Sequence, residues 1–379
     1  RQASSKMTRP AISIRKTGSW TFGSPSVLMM FHRRSGTLDA ELAAMNECMP
    51  HYYRITQGHG QGAELLMNAE AAFMQGNFSD AQILLEQTYS TIASNGQHNI
   101  SLCCDFLAAR LSLFQDEGTF VENPEAKRKE LLSLHNMMWL NIFDSTYAYY
   151  YTLIRMPEKI PALFKDHMLS TVSFLSPCRP MMEMIENQVF LSQKMYAKVI
   201  GRSETLLPVC EKMHYELVSL HVQIQTAAAY AMLGKHHDAR QLLQKALGHA
   251  MPDGFLIPFV ENYTYIKDVL SSINSITPEP FTDRILSLGS VYEQHCLRLS
   301  SRNYRPEILN MLNSREAEIA ALITDRLSNR EIAERLFLSE GTVKQYVNQI
   351  YSKLMINGDT RTKRKQLAEL ISSINKGLT

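Results

Sequence analysis

Apolar residues recur at helical spacing along almost the whole chain, and strand-like alternation is scarce. The pattern is clearest in two segments, Ala69–Tyr89 and Ala227–Leu247. Each segment predicts two helices joined by a tight turn, at Gly76 in the first and at Gly234 in the second. The chain is therefore predicted to be all-α.

Aligned on their glycines, the two segments share one plan. A small residue stands seven positions before the glycine, another five after it, and a leucine nine after it: Ala69, Ala81 and Leu85, then Ala227, Ala239 and Leu243. Small side chains let antiparallel helices pack closely, and glycine can end a helix in the left-handed conformation. The plan resembles the tetratricopeptide (TPR) repeat, and we expect a TPR-like helical-repeat solenoid with a concave surface.

Two proline-bearing stretches predict breaks in this helical body. The first is 272–283, and a helix over about 284–299 is expected after it. The second, 301–310, is polar and basic, as interdomain linkers often are. We therefore predict a helical-repeat domain at 1–300, a linker at 301–311 and a small C-terminal domain at 312–379.

Capping signals mark three short helices in the C-terminal domain. Asn313 and Ser328 are each followed three residues later by glutamate, which predicts two capping boxes, and Ser339 is the expected cap of a third helix. Apolar residues then define the predicted core of the second and third helices: Ile332, Leu336, Val343, Val347 and Ile350.

The third helix leaves Lys344, Gln345 and Asn348 on its outer face. Donors of this kind on an exposed helix can contact base edges in the DNA major groove, while the preceding helix contacts the phosphate backbone. The alternative is one more capped hairpin of the solenoid with an ordinary polar face.

The residue string favours DNA recognition over that alternative. The run "LNSREAEI…LSNREIAERLFLSEGTVKQYVNQIYSKL" resembles the LuxR-type, or GerE-like, helix-turn-helix domain over about 60 residues. The resemblance implies a small four-helix domain that binds double-stranded DNA. Position by position, it implies base contacts from Lys344, Gln345 and Asn348 and backbone contacts around Asn329, Thr342, Tyr346 and Lys353.

The chain departs from this family at several positions. Arg326 and Met355 replace usual glycines, and Tyr346 replaces a common histidine. The link over 356–370 is longer than usual, which weakens the expectation that the last helix, with Leu367, Leu370 and Ile371, forms a homodimer on DNA.

The body resembles the sensor arm of MalT-like regulators, most clearly over Gly18–Gly36 and Glu47–Ala81. In that group an NTPase module precedes the arm. This chain has no G-x-x-x-x-G-K-[ST] motif, and the glycines of "GHGQGAE" at 58–64 are expected to form a tight turn instead. Because the chain also starts at Arg1 rather than Met, we expect a longer parent protein with the ATPase module upstream of Arg1.

The arm is expected to bind a small-molecule inducer or a protein partner. Trp139, Tyr147 and Tyr150 are candidates for such a surface, although packing inside a repeat is the favoured interpretation of these aromatic residues. His236 and His237 lie in a predicted turn without further ligands in reach, so no metal site is expected. No catalytic arrangement stands out; we predict neither enzymatic activity nor a cofactor in this chain.

Composition adds three constraints. The net charge is +2, yet residues 301–379 carry +4 and the remainder −2, as expected if only the tail meets a polyanion. Six scattered cysteines predict free, buried thiols in a cytoplasmic protein. No apolar run is long enough for a membrane span.

The sequence thus predicts a DNA-binding transcription regulator, with activation the favoured direction, whose helical arm responds to a ligand or partner. The alternative is a helical-repeat interaction scaffold in which DNA binding is weak or lost.

Overall fold

A computed structural model describes residues 21, 23–93, 97–114, 124–303, 312–325, 327–354, 356, 358–359 and 362–368. These residues form helices and turns and contain no β-strand, which confirms the all-α prediction. The chain divides into two compact units, Arg1–Leu299 and Ser300–Thr379. The predicted linker lies mostly outside the described residues, so its bounds stay a prediction.

Fifteen of the described α-helices begin in the first unit. They are α1 Val27–Phe31, α2 Leu38–Thr56, α3 Ala63–Met74, α4 Phe78–Ala93, α5 His98–Leu111, α6 Pro124–Ser133, α7 Met137–Leu153, α8 Ala162–Lys165, α9 Arg179–Ser192, α10 Tyr196–Met213, α11 Glu216–Met232, α12 His236–Ala250, α13 Ile257–Glu261, α14 Tyr263–Ile276 and α15 Pro280–Asn303. Helix α15 extends beyond the predicted 284–299 at both ends, and the break before it is confined to 277–279.

The two glycine-centred hairpins form as predicted. Helix α3 packs on α4 and α11 packs on α12. Gly76 and Gly234 take positive φ angles of 79° and 75°, which lets each chain turn back within three residues. Ala69, Ala81, Ala227 and Ala239 are all fully buried between the paired helices, whereas assignment to the TPR fold stays a prediction.

A buried ion pair lies at the centre of the first unit. Arg110 Nε lies 2.7 Å from Glu261 Oε1, and both residues are at most 4% exposed. The Tyr149 hydroxyl donates to Glu261 Oε2 at 2.8 Å, while the guanidinium lies over the rings of Phe73 and Phe106. With its polar atoms satisfied in this way, the pair links α5, α7 and α13; removing either charged partner alone would cost about 3–5 kcal/mol.

The loop at 32–38 holds α2 against the second half of the unit. Arg33 Nη1 and Ser35 Oγ donate to backbone carbonyls of α10 and α12, at 2.8 and 2.7 Å. Asp253, which is 6% exposed, accepts two backbone N–H bonds from the same loop, at 2.6 and 3.0 Å. These bonds join residues some 180 to 217 positions apart and fix the loop in place.

The aromatic residues considered as a ligand surface are buried instead. Trp139, Tyr147 and Tyr150 are 7%, 4% and 7% exposed, and the Trp139 indole donates to Asn99 Oδ1 at 2.5 Å. Their rings pack within the core because a mostly apolar helix, α7, is covered by α5, α6 and α9. They therefore offer no surface to a ligand, and they act as packing residues of the core.

Two smaller predictions concern the cysteines and the glycines at 58–64. All six cysteines are free, but Cys48 is exposed rather than buried. Gly58, Gly60 and Gly62 form the expected turn, all with positive φ. In the described part of the chain, no group of histidine, cysteine and carboxylate residues is arranged to hold a metal ion, and no helix is long and apolar enough to cross a membrane.

Two helical glycines give a matched test of packing. A Cβ on Gly289 would lie 2.3 Å from the Tyr263 ring, whereas a Cβ on Gly248 would meet nothing within 4 Å. We expect Gly289→Ala to lower the free energy of unfolding by about 1–3 kcal/mol through overpacking, although alanine favours helices. Gly248→Ala should raise it by roughly 0.5–1 kcal/mol. Urea unfolding of the full chain followed by circular dichroism measures both; equal effects would contradict the packing described here.

Candidate nucleic-acid interface

The second unit begins with three short helices, each with a capped N-terminus. Helix α16 spans Ser314–Thr324, α17 spans Asn329–Leu336 and α18 spans Glu340–Lys353. Asn313 and Ser328 form the two predicted capping boxes with the glutamates three residues later, and the Ser339 side chain accepts from the Thr342 N–H. The local signals in the sequence therefore place all three helix starts correctly.

Only three residues separate α17 from α18. Phe337 ends α17 in the left-handed conformation with φ of 54°, and the N–H of Leu338 returns to the Ala333 carbonyl at 2.9 Å. Arg315 on α16 donates to the last carbonyl of α17, that of Leu336, at 2.8 Å. These bonds fix the angle between α17 and α18, as a helix-turn-helix requires.

The predicted core residues are buried on the inner side of this unit. Ile332, Val343, Val347 and Ile350 are at most 5% exposed, and Leu336 is half-buried against them. They pack with apolar residues of α16, among them Ile319, Leu322 and Ile323. Burying each of these side chains contributes about 1.5–3 kcal/mol, enough together to hold α18 in one rotation about its axis.

That rotation leaves Lys344, Gln345 and Asn348 exposed on the outer face of α18. Among the described residues, none of the three side chains makes a hydrogen bond or an ion pair. They follow one another at positions i, i+1 and i+4, so they form one continuous edge of polar groups near the start of the helix. Such an edge fits the width of the major groove.

The four predicted backbone contacts differ in their surroundings. Tyr346 is half-buried against the core, and Thr342 Oγ1 lies 2.7 Å from the capping Ser339 Oγ. The ammonium of Lys353 donates to Glu316 Oε2 at 2.7 Å, which ties the end of α18 to the capping box of α16. Asn329 lies at the N-terminus of α17.

Arg364 is a residue that sequence reasoning missed. Its Nη1 donates to Asn329 Oδ1 at 2.8 Å, and its Nη2 donates to the Leu327 carbonyl. Because a guanidinium only donates, the Asn329 atom that faces it must be the oxygen, which directs the Asn329 amide N–H groups away from Arg364. The basic run over 361–365 was visible in the sequence, but no local pattern pairs one of its members with α17.

The segment at 362–368 is helical and packs within the second unit, where Leu367 is fully buried. Leu367 is therefore covered by its own chain and is not exposed to a second copy. Leu370 and Ile371, together with the replaced glycine positions Arg326 and Met355, lie outside the described residues. Dimerisation on DNA stays a prediction.

Comparison with known proteins agrees with this geometry. Residues 310–364 match the family model of bacterial regulatory proteins, luxR family. The chain is 33% identical over 110 residues to the transcriptional regulatory protein LnrK of Bacillus subtilis, a match covering 28% of this chain and 49% of LnrK. It is 45% identical over 53 residues to DegU of Brevibacillus brevis, covering 14% of this chain and 22% of that protein, and 36% identical over 75 residues to DesR of Bacillus subtilis, covering 17% and 38%.

These matches establish the C-terminal segment as a luxR-family helix-turn-helix domain. The chain spans about half or less of the length of each of these relatives. No solved structure matches the chain significantly.

The Glu316 contacts predict a pH dependence. Glu316 is 1% exposed; hydrogen bonds from Lys353 and the Asn313 N–H outweigh the cost of its burial and lower its pKa below the usual 4.5. Its contribution to stability should thus be complete above about pH 4.5 and be lost as the pH falls through the lowered pKa.

We expect Glu316→Gln to destabilise α16 by roughly 1 kcal/mol near neutral pH. Hydrogen exchange of the α16 amides in the full chain measures this difference, which should shrink in acid. Glu318→Gln, which alters an exposed glutamate of the same helix, is the control and should have little effect. A gap that persists unchanged in acid would contradict the assignment.

The Arg364 geometry predicts a coupling in DNA binding. Arg364→Met should weaken binding about fivefold on any duplex, because Asn329 loses the hydrogen bond that orients its amide. In an Asn329→Ala background, Arg364→Met should weaken DNA binding clearly less than in the wild type. Fluorescence anisotropy of the four proteins measures the coupling, with Lys365→Met as a control for loss of one positive charge. Equal losses in both backgrounds would show that Arg364 does not act through Asn329.

Proposed function

We propose that the protein is a transcription regulator that binds double-stranded DNA through its luxR-family domain. The observation that carries the proposal is the outer face of α18, where Lys344, Gln345 and Asn348 are exposed while the opposite face is sealed into a core. A rigid helix with unengaged donors on one edge can enter the major groove without rearrangement.

In this proposal each of the three exposed residues on the outer face of α18 contacts particular base atoms. Lys344 donates to guanine O6 or N7, and the amides of Gln345 and Asn348 can pair with adenine N6 and N7. Helix α17 crosses the phosphate backbone, where the Asn329 amide donates to a phosphate oxygen. Lys353 reaches a phosphate only if its bond to Glu316 is shared or broken, so it would contribute less than an unpaired lysine.

The proposal extends to regulation. The first unit would sense an inducer or a protein partner and so control the DNA-binding domain. Activation is the direction we propose, on the strength of the family resemblance alone, and the cytoplasm is the proposed location because promoter DNA lies there. We propose no enzymatic activity and no cofactor for this chain.

Fluorescence anisotropy of the full chain with duplexes selected from a random pool tests the proposal. Affinity should fall steeply as salt rises, because phosphate contacts release counterions, and the selected duplex should bind more tightly than random DNA. Lys344→Ala and Asn348→Ala should each cost about 1–3 kcal/mol on the selected duplex and much less on random DNA.

Lys198→Ala provides the matched control, since it removes an exposed lysine from the first unit. Its affinity for DNA should equal that of the wild type. Absence of any salt-dependent complex would refute DNA binding and favour the interaction-scaffold alternative. Equal losses on selected and random DNA would refute base recognition by α18.

A further inference from the structure

A cleft of about 970 Å³ opens in the first unit, at the upper end of the roughly 300–1,000 Å³ typical of small-ligand sites. Helix α11 contributes its floor, and α2, α10 and α12 contribute its walls. The lining positions on α2 are 40, 41 and 44, continued by the N-cap position 37, and those on α11 are 216, 219 and 223, so each helix presents one continuous face to the cleft.

The walls are held by long-range bonds. The loop before α2, with Arg33 and Arg34 at the rim, is the one fixed by Asp253 and by carbonyls of α10 and α12. Glu216 N donates to the His32 carbonyl at 3.3 Å, which joins the start of α11 to the same loop. The cleft therefore exists before any ligand binds, which lowers the entropic cost of binding.

The floor carries an amide with unused hydrogen-bonding capacity. Gln223 lines the cleft and is only 4% exposed. Its Nε2 donates to Ser219 Oγ at 3.1 Å, while its Oε1 has no hydrogen-bond partner among the described residues. Whichever way the amide is oriented, one end stays unsatisfied, and buried amides are rarely left so in folded proteins.

The charged residues of the lining divide into engaged and unengaged groups. Glu41 accepts from the Arg33 N–H and Thr37 and lies 2.8 Å from His32, and Glu216 lies 3.3 Å from His249. Arg34, Lys245 and Glu211 make no side-chain hydrogen bond or ion pair within the described part of the chain. The cleft thus presents free charges of both signs.

The remaining wall surface is aliphatic, with Leu207 and Pro208 on α10 and Ala40 and Ala44 on α2. Tyr215 is the one tyrosine, phenylalanine or tryptophan among the described residues of the lining, and it is 3% exposed with Arg33 over its ring. The lining therefore gives a sugar or nucleobase no open tyrosine, phenylalanine or tryptophan face on which to stack, and the imidazoles of His214 and His249 are its remaining rings.

We propose that this cleft binds a short peptide with free termini. A peptide supplies what the lining lacks: a backbone amide for Gln223, a carboxylate for Arg34 or Lys245, an ammonium for Glu211, and apolar side chains for the aliphatic walls. This inference deepens the sensing part of the proposed function and rests on it, since the peptide would be the signal to which the first unit responds.

Affinity selection with a synthetic pool of random hexapeptides tests the proposal. The full chain is equilibrated with the pool, unbound peptides are removed by ultrafiltration, and retained peptides are identified by mass spectrometry. The wild type should retain a defined subset of peptides. Lys245→Glu reverses an exposed charge at the cleft, and Gln223→Leu removes the buried amide; each should reduce retention of that subset about tenfold.

Two controls sharpen the result. Lys198→Glu makes the same charge reversal on α10 at a position outside the lining, and it should retain the subset as the wild type does. A parallel pool with acetylated and amidated termini should be retained poorly, because it lacks both terminal charges. Since Gln223 is buried, unfolding midpoints are compared for all variants, and the exposed Lys245→Glu decides the matter if Gln223→Leu fails to fold.

No enrichment by the wild type, or equal enrichment by Lys245→Glu, would overturn the peptide assignment. Retention of sugar phosphates or nucleotides from a matched pool in place of peptides would also overturn it. DNA binding by the same variants is measured separately without peptide and should equal that of the wild type. Loss of DNA binding by every protein, with peptides still retained, would instead refute the proposed function.

Discussion

The buried stripe of Val343, Val347 and Ile350 fixes the orientation of α18 and therefore which residues it presents. These branched side chains fit against α16 and α17 in one rotation of α18 only, since any other would expose apolar surface and bury Lys344 or Asn348. The chemistry presented to DNA is therefore set by packing on the opposite side of the helix. The capped starts and the Phe337 turn complete the same task by fixing where α18 begins.

The first unit is held differently. Hydrogen bonds between residues far apart in the sequence, rather than contacts within one helical hairpin, fix the walls of its cleft. Asp253 and the loop at 32–38 hold α2 against helices that lie about 200 positions later in the chain. The central Arg110–Glu261 pair joins three more helices in the same way. A cleft bounded by such bonds keeps its shape without a ligand, and occupancy can then alter the stability of the elements that frame it.

Features that depend on residues close together in the sequence could be predicted, whereas contacts between residues far apart in the sequence could not. Capping boxes, glycine turns and apolar stripes could be recognised because each involves only residues close together in the sequence. The Arg364–Asn329 bond spans 35 positions, and the residues that line the cleft lie between Arg33 and His249, more than 200 positions apart, so neither leaves a local signal. Trp139, Tyr147 and Tyr150 show the same limit, because composition cannot tell a core helix from a ligand surface. A left-handed Phe337 also contradicts residue preference, which favours glycine or asparagine there.

Base preference is the most direct test of the central claim that the exposed edge of α18 recognises DNA sequence. The full chain and its Gln345→Arg variant would each select duplexes from a random pool, and the two sets of sites would be compared base by base. The variant should prefer guanine at one position where the wild type does not, because arginine pairs with guanine O6 and N7. Identical preferred sites for the two proteins, or no preferred site for either, would contradict it.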